Sequence, residues 1–187
     1  MEEAIRQVRD ALATGELGYE ELTARNIGDF LGKTTSVVYH HWGSLDSFLF
    51  AVSESGYELL AEQLVAEMEE GGLEAVGAQF VRFGLESPAL YAVMLERRYD
   101  WDALREKGAF EKDNPGITLW ETLGSYLEDA GSASPREDAR IIFAGLHGLV
   151  SLASTGRANI GDLASPDREV ALESARRLVR RMTGENS

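Results

Sequence analysis

Residues 23–42, Thr-Ala-Arg-Asn-Ile-Gly-Asp-Phe-Leu-Gly-Lys-Thr-Thr-Ser-Val-Val-Tyr-His-His-Trp, constrain the fold more than any other stretch of the chain. They read as two short helices joined at Gly32. Thr23 is a suitable N-cap, because its hydroxyl can accept a first-turn backbone N–H. Ile27, Phe30 and Leu31 then share one face at i, i+3, i+4 spacing, the stripe that a helix buries. Gly28 suits close approach by another helix, and Gly32 can take the positive φ of a sharp helix exit. Thr34 or Thr35 is expected to cap the second helix, with Val37 and Val38 pinning it to the domain and Tyr39 near its end. Lys33, Thr34, Thr35, Ser36 and His40 are left as the free polar set, of residue types that donate to phosphate oxygens and reach base edges. Two short helices about a tight turn are the layout of a helix-turn-helix, whose second helix enters a DNA major groove.

The rest of the chain also reads as helix, punctuated by glycine and proline. A first helix is expected over residues 2–13, ending near Gly15. A long one follows from Ser44 to Met68 and ends at Gly71-Gly72, read as a hinge between head and body. Further helices are expected over 73–86, 88–98, 101–112 and 115–130, with loops around 131–135 and 159–166 and a frayed tail at 184–187. From Arg136 to Thr155, Ala139, Ile142, Phe143, Leu146, Leu149, Val150 and Ala153 form a broad apolar stripe. Ala171, Leu172, Ala175, Leu178, Val179 and Met182 do the same from Asp167 to Met182, and the small residues in both stripes let helices approach closely.

Thr23, Ile27, Gly28, Gly32, Tyr39, His41 and Trp42, followed by Ser44 and the apolar pair Phe48 and Leu49, resemble the N-terminal motif of the TetR family of transcriptional repressors. Pro135, Ala139, Ala144 and the run Leu146 to Leu152 add a weaker likeness to a helix in the C-terminal regions of such proteins. Three positions depart from the family pattern. Gly28 and Trp42 stand where alanine and phenylalanine are usual, and Leu45 removes a lysine that usually meets a phosphate. The resemblance implies an all-α protein. Residues 1–47 would form a three-helix DNA-binding head, and 48–187 a larger helical-bundle body for ligand binding and dimerisation.

On that reading the partner is a palindromic double-stranded operator, bound by a homodimer formed through the two C-terminal helices, with recognition helices about one DNA turn (roughly 34–36 Å) apart. Lys33, Thr34, Thr35, Ser36 and His40 are the expected groove face, and Thr23, Arg25 and Tyr39 the expected backbone contacts. The body carries Phe80, Phe83, Tyr91, Met94, Trp101, Phe110, Trp120 and Tyr126, an aromatic wealth consistent with an apolar effector cavity. Phe83, Met94, Trp120, Phe143 and His147 are the candidate ligand residues, His147 as a polar handle, for a small apolar or aromatic effector.

Charge complicates the DNA reading. The net charge is −14, and residues 1–50 hold four basic against eight acidic side chains. DNA affinity comes largely from neutralising phosphates, so binding weaker and more salt-sensitive than that of a basic relative is expected. The acidic head and Leu45 favour an alternative, a TetR-like ligand-binding or protein-interaction protein with weak or lost DNA binding.

Other chemistries find no support. Gly32-Lys33-Thr34 lacks the preceding spacing and strand of a phosphate-binding loop. Adjacent His40 and His41 make a poor chelating pair, and with no cysteine there is no thiolate metal site. No nucleophile-elbow Gly-x-Ser-x-Gly occurs, so neither enzyme activity nor a cofactor is expected. No apolar run approaches a membrane span and the N-terminus is no signal peptide, which predicts a cytoplasmic location.

Overall fold

The structure, a computed structural model, describes residues 1–106, 108, 114–160 and 165–184; the side chain of Val37 lies outside that set. Among the described residues there are nine α-helices and no strand. The chain divides into two compact units, residues 1–59 with 86–116, and 60–85 with 117–187.

The first unit begins with α1 (Glu2–Thr14), which buries Ala4, Val8, Ala11 and Leu12 on one stripe and ends at Gly15 with φ 76°. A short 3-10 turn (Tyr19–Glu21) leads to α2 (Ala24–Phe30) and α3 (Ser36–Trp42). The first residues of α4 (Leu45–Glu86) bury Phe48, Leu49 and Val52. Ser44 starts this helix, its hydroxyl accepting the Ser47 N–H at 3.0 Å. α5 (Pro88–Tyr91) packs on α1, and the Ser87 hydroxyl donates to the Ala13 carbonyl at 3.1 Å. The helix expected over 88–98 does not stay regular. Residues Ala92–Glu96 form one wide turn, closed by the Arg97 N–H on the Ala92 carbonyl at 2.8 Å. Arg97 itself is extended and ends the helix. α6 (Trp101–Glu106) completes the unit. The remainder of the helix expected to residue 112, with Phe110, lies outside the described residues.

The second unit holds the rest of α4. That helix breaks at Gly72, where φ 66° and ψ −166° are accessible to glycine and hardly to any other residue. Across the break, the Gln79 amide donates to Gln63 at 2.8 Å and the Arg82 guanidinium to Glu67 at 3.1 Å. Side chains 15 or 16 positions apart on a straight helix sit about 22–24 Å apart along its axis. The chain therefore reverses at Gly72, and the arms 45–71 and 73–86 form a helical hairpin. The expected break at Gly71-Gly72 is present, but as a tight turn inside the second unit rather than a hinge leading out of it.

α7 (Pro115–Asp129), α8 (Pro135–Ser154) and α9 (Asp167–Met182) follow close to their expected bounds. α8 buries Ala139, Ile142, Leu146 and Val150 and packs on α9, which buries Ala171, Ala175 and Val179. Gly77 and Gly145 permit this closeness. A Cβ at Gly77 would lie 2.6 Å from a Val179 methyl, and one at Gly145 would collide with Leu178. The Asp167 carboxylate accepts the Asn159 N–H at 3.0 Å, which ties down the approach to α9. Residues 161–164 of the expected loop and 185–187 of the expected tail lie outside the described residues.

Candidate nucleic-acid interface and effector cluster

Thr23 is extended (φ −113°, ψ 153°), and its hydroxyl accepts the Asn26 N–H at 3.1 Å, the N-cap that its position predicts. α2 then buries Ile27 completely. Gly28 is needed for a different neighbour from the expected helix. A Cβ there would meet the Lys33 carbonyl at 3.0 Å and the Thr35 nitrogen at 3.2 Å, so it is the backbone of the turn that lies against it. The Lys33 N–H donates to the Gly28 carbonyl at 2.8 Å, and Gly32 has φ 62°. Glycine at both positions lets the chain turn within reach of its own helix.

Neither threonine caps α3. Thr35 occupies the N-cap position in helical geometry without a side-chain cap bond, and the Thr34 hydroxyl pairs instead with that of Ser36 at 2.6 Å. Val38 is fully buried beneath α3; the expectation for the side chain of Val37 lies outside the described residues. Gly43, with φ 74°, ends the helix, and the Trp42 ring meets Phe48 edge-on at 4.7 Å, fixing α3 against α4.

All eight side chains expected to meet DNA are exposed: Thr23, Arg25, Lys33, Thr34, Thr35, Ser36, Tyr39 and His40. Tyr39 stands 54% exposed. Arg25 has only a loose, solvent-exposed pairing with Asp29 at 3.9 Å. Several carboxylates of the acidic head are occupied elsewhere. Glu3 is held by Arg6, Asp10 by Arg9, and Asp46 by Arg97 at 2.7 Å. Sequence reading missed Arg97, because 51 positions separate it from Asp46. The wide turn before it and its extended backbone bring its guanidinium to the start of α4 and over the Tyr99 ring at 5.7 Å.

The five candidate effector residues fall into separate surroundings. In the second unit the Phe143 ring lies edge-to-face with Trp120 at 6.2 Å and stacks on His147 at 6.3 Å. Phe80, from the second arm of α4, joins them at 5.9 Å from Phe143. Trp120, Phe143 and His147 are half-buried, whereas Phe83 is buried. Met94 belongs to the first unit, where Gly56 leaves room for its sulfur and its carbonyl accepts from the Tyr57 hydroxyl at 3.3 Å. Trp101, in the same unit, is part of an edge-to-face trio with Phe50 and Tyr99.

Residues 73–182, more than half of the chain, match the family model described as "Tetracyclin repressor-like, C-terminal domain". The chain belongs to the TetR family. TetR-family proteins are transcriptional regulators and generally not enzymes. No curated protein matches the sequence. Solved structures share the fold at low identity. A Rhodococcus sp. RHA1 protein of unknown function has a TM-score of 0.66 at 21% identity, covering 95% of this chain and 94% of that one. Superantigen PfiT has a TM-score of 0.54 at 21% identity, covering 92% of each chain. The TetR family transcriptional regulator PfmR from Thermus thermophilus has a TM-score of 0.54 at 17% identity, covering 95% of this chain and 97% of that one.

In this TetR-family chain α8 presents a second face besides its buried one. Ile141 is 53% and Leu152 39% exposed, and a Cβ at Gly148 would meet nothing within 4 Å. Among the described residues no group of three or more His, Cys, Asp or Glu side chains is placed to hold a metal ion, and no helix is long and apolar enough to cross a membrane.

Proposed function

We propose that the chain is a ligand-responsive transcriptional repressor that binds a palindromic operator as a homodimer, with residues 1–47 as the DNA-binding head and 48–187 as the ligand-binding and dimerisation domain. The observation that carries this reading is the head itself. Ile27 and Val38 are fully buried, while Lys33, Thr34, Thr35, Ser36, Tyr39 and His40 are exposed together on the turn and the helix that follows. This is the arrangement with which a recognition helix meets base edges while flanking hydroxyls and cations meet phosphates. Thr23 and Arg25 contact the backbone. The exposed apolar face of α8, with Ile141 and Leu152, supports pairing of α8 and α9 with a second copy, since isologous dimers are the commonest oligomers. Phe80, Trp120, Phe143 and His147 form the core of an effector site for a small apolar or aromatic molecule, Phe83 being buried in the same unit.

Fluorescence anisotropy with DNA from upstream of the gene, from about 50 to 200 mM salt, tests the reading. Tight binding that exceeds binding to scrambled DNA is expected, and Lys33→Ala should weaken both and reduce the salt slope by about one. Equal weak binding to both sequences would favour the second reading, an effector- or protein-binding role without useful DNA affinity. Leu45 and the net acidity of the head support that alternative, and the fold itself does not dictate operator binding.

A further inference from the structure

A groove of about 700 Å³ opens on the first unit between the last turn of α1 and the end of α2. Asp10, Thr14 and Glu16 stand on one side, Phe30 and Leu31 on the other, and Gly32 closes one end. Its size lies within the range of roughly 300–1,000 Å³ that takes a small organic molecule. Its electrostatics have one sign. α1 runs for 13 residues and ends here, where the carbonyls of a last turn carry negative partial charge. Helices usually answer that end with lysine or arginine, yet neither α1 nor α2 has a basic residue in its last turn. Asp10 is answered by Arg9 at 2.7 Å, but Glu16 has no ion-pair partner among the described residues. Opposite this negative wall, Phe30 and Leu31 are half-buried and give the groove an apolar side.

We propose that this groove binds a small organic cation that joins an ammonium group to an aromatic or aliphatic body. The ammonium faces Glu16 and the end of α1, where a positive charge offsets both the carboxylate and the helix carbonyls. The hydrocarbon part lies on Phe30 and Leu31, which accept it by apolar contact and, for the charged end, through the ring face. The site is distinct from the aromatic cluster of the second unit and from the eight side chains assigned to DNA. Because Gly32 belongs to the turn that launches α3, the ligand sits beside the recognition turn and brings positive charge to an acidic head.

The test needs no DNA, so it is independent of the operator reading. The full chain is titrated with phenethylammonium and, separately, with its neutral counterpart 2-phenylethanol, following backbone amide resonances by NMR. Saturable shifts centred on Thr14, Glu16, Leu31 and Gly32 are expected with the ammonium and not with the alcohol. Glu16→Gln should weaken the ammonium about two- to fivefold, the scale of one charge at a helix end. Phe30→Leu should weaken it while leaving unfolding by circular dichroism near that of the parent. Equal binding of the alcohol would overturn the proposal by making the groove merely apolar. Shifts centred on Trp120 and Phe143, binding only of a trilysine peptide, or no saturable shift would overturn it as well.

Discussion

Thr23 and Glu54 show opposite ways in which one polar side chain bears on this fold. Thr23 satisfies an otherwise open N–H at the start of α2, so Thr23→Ala should cost about 1 kcal/mol. For a chain of this size that lowers the thermal midpoint by about 2–4 °C, measurable by circular dichroism. Glu54 is half-buried, and burial pushes its carboxyl above the ordinary 4.5, an effect that the hydrogen bond from Asn114 at 2.9 Å only partly offsets. A folded-state pKa above the unfolded one means that the group's contribution is fully present below pH 4.5 and is lost as pH rises through the folded value. At neutral pH the Glu54 carboxylate therefore opposes folding. Glu54→Gln keeps an acceptor for Asn114 and should raise the midpoint by about 1–3 °C at neutral pH, with little change in acid. A rise of equal size at both pH values would show that packing, not charge, is responsible.

At the scale of elements, turns do more than helix propensities to shape the molecule. The arms of α4 are each a plausible helix, and only Gly72 reverses the chain between them. Gly72→Ala would force a side chain into a region that costs about 1–3 kcal/mol and should lower the urea midpoint with an unchanged slope. A slope that falls as well would mean that the hairpin has opened in the native state. The head depends on a similar economy. Gly28 and Gly32 lie four residues apart, one allowing the turn backbone to press against α2 and the other supplying its positive φ. The spacing of Ile27, Phe30 and Leu31 predicted α2, and the glycines predicted its exit. The partner of Gly28 was not legible, because a sequence marks where a side chain is missing without naming what fills the space. The failed caps at Thr34 and Thr35 have a related cause: threonine caps only from a non-helical backbone, and Thr35 is helical.

For the whole molecule the decisive quantities are charge and the unpartnered face of α8. A net charge of −14 makes any DNA affinity depend on a few local cations, chiefly Lys33 and Arg25, so its salt dependence is a sharper observable than its strength at one condition. Ile141 and Ile142 are neighbours in sequence with opposite fates, one 53% exposed and the other almost fully buried. If Ile141 faces a second copy, Ile141→Asp should shift sedimentation from dimer to monomer while the far-ultraviolet spectrum is kept. Under the operator reading it should also abolish tight operator binding, because a single head engages only one half-site. A parent chain that already sediments as a monomer would remove the dimer from the proposal.

The sequence by itself determined the all-helical class, the helix-turn-helix and the family. These are local properties, written in 3.6-residue periodicity, caps and glycine positions that act within a few residues of one another. It also placed the chain breaks near Gly15, Gly32, Gly72 and Pro88, because those residues restrict or free the backbone wherever they stand. Tertiary structure alone decided that α4 folds back on itself, that Arg97 reaches Asp46, and that Phe80 joins Trp120, Phe143 and His147. Each of these depends on where distant segments are brought, and no short-range pattern encodes that. The exposed face of α8 has the same origin: an apolar stripe tells that a helix must be covered, and only packing shows which of its sides is still open.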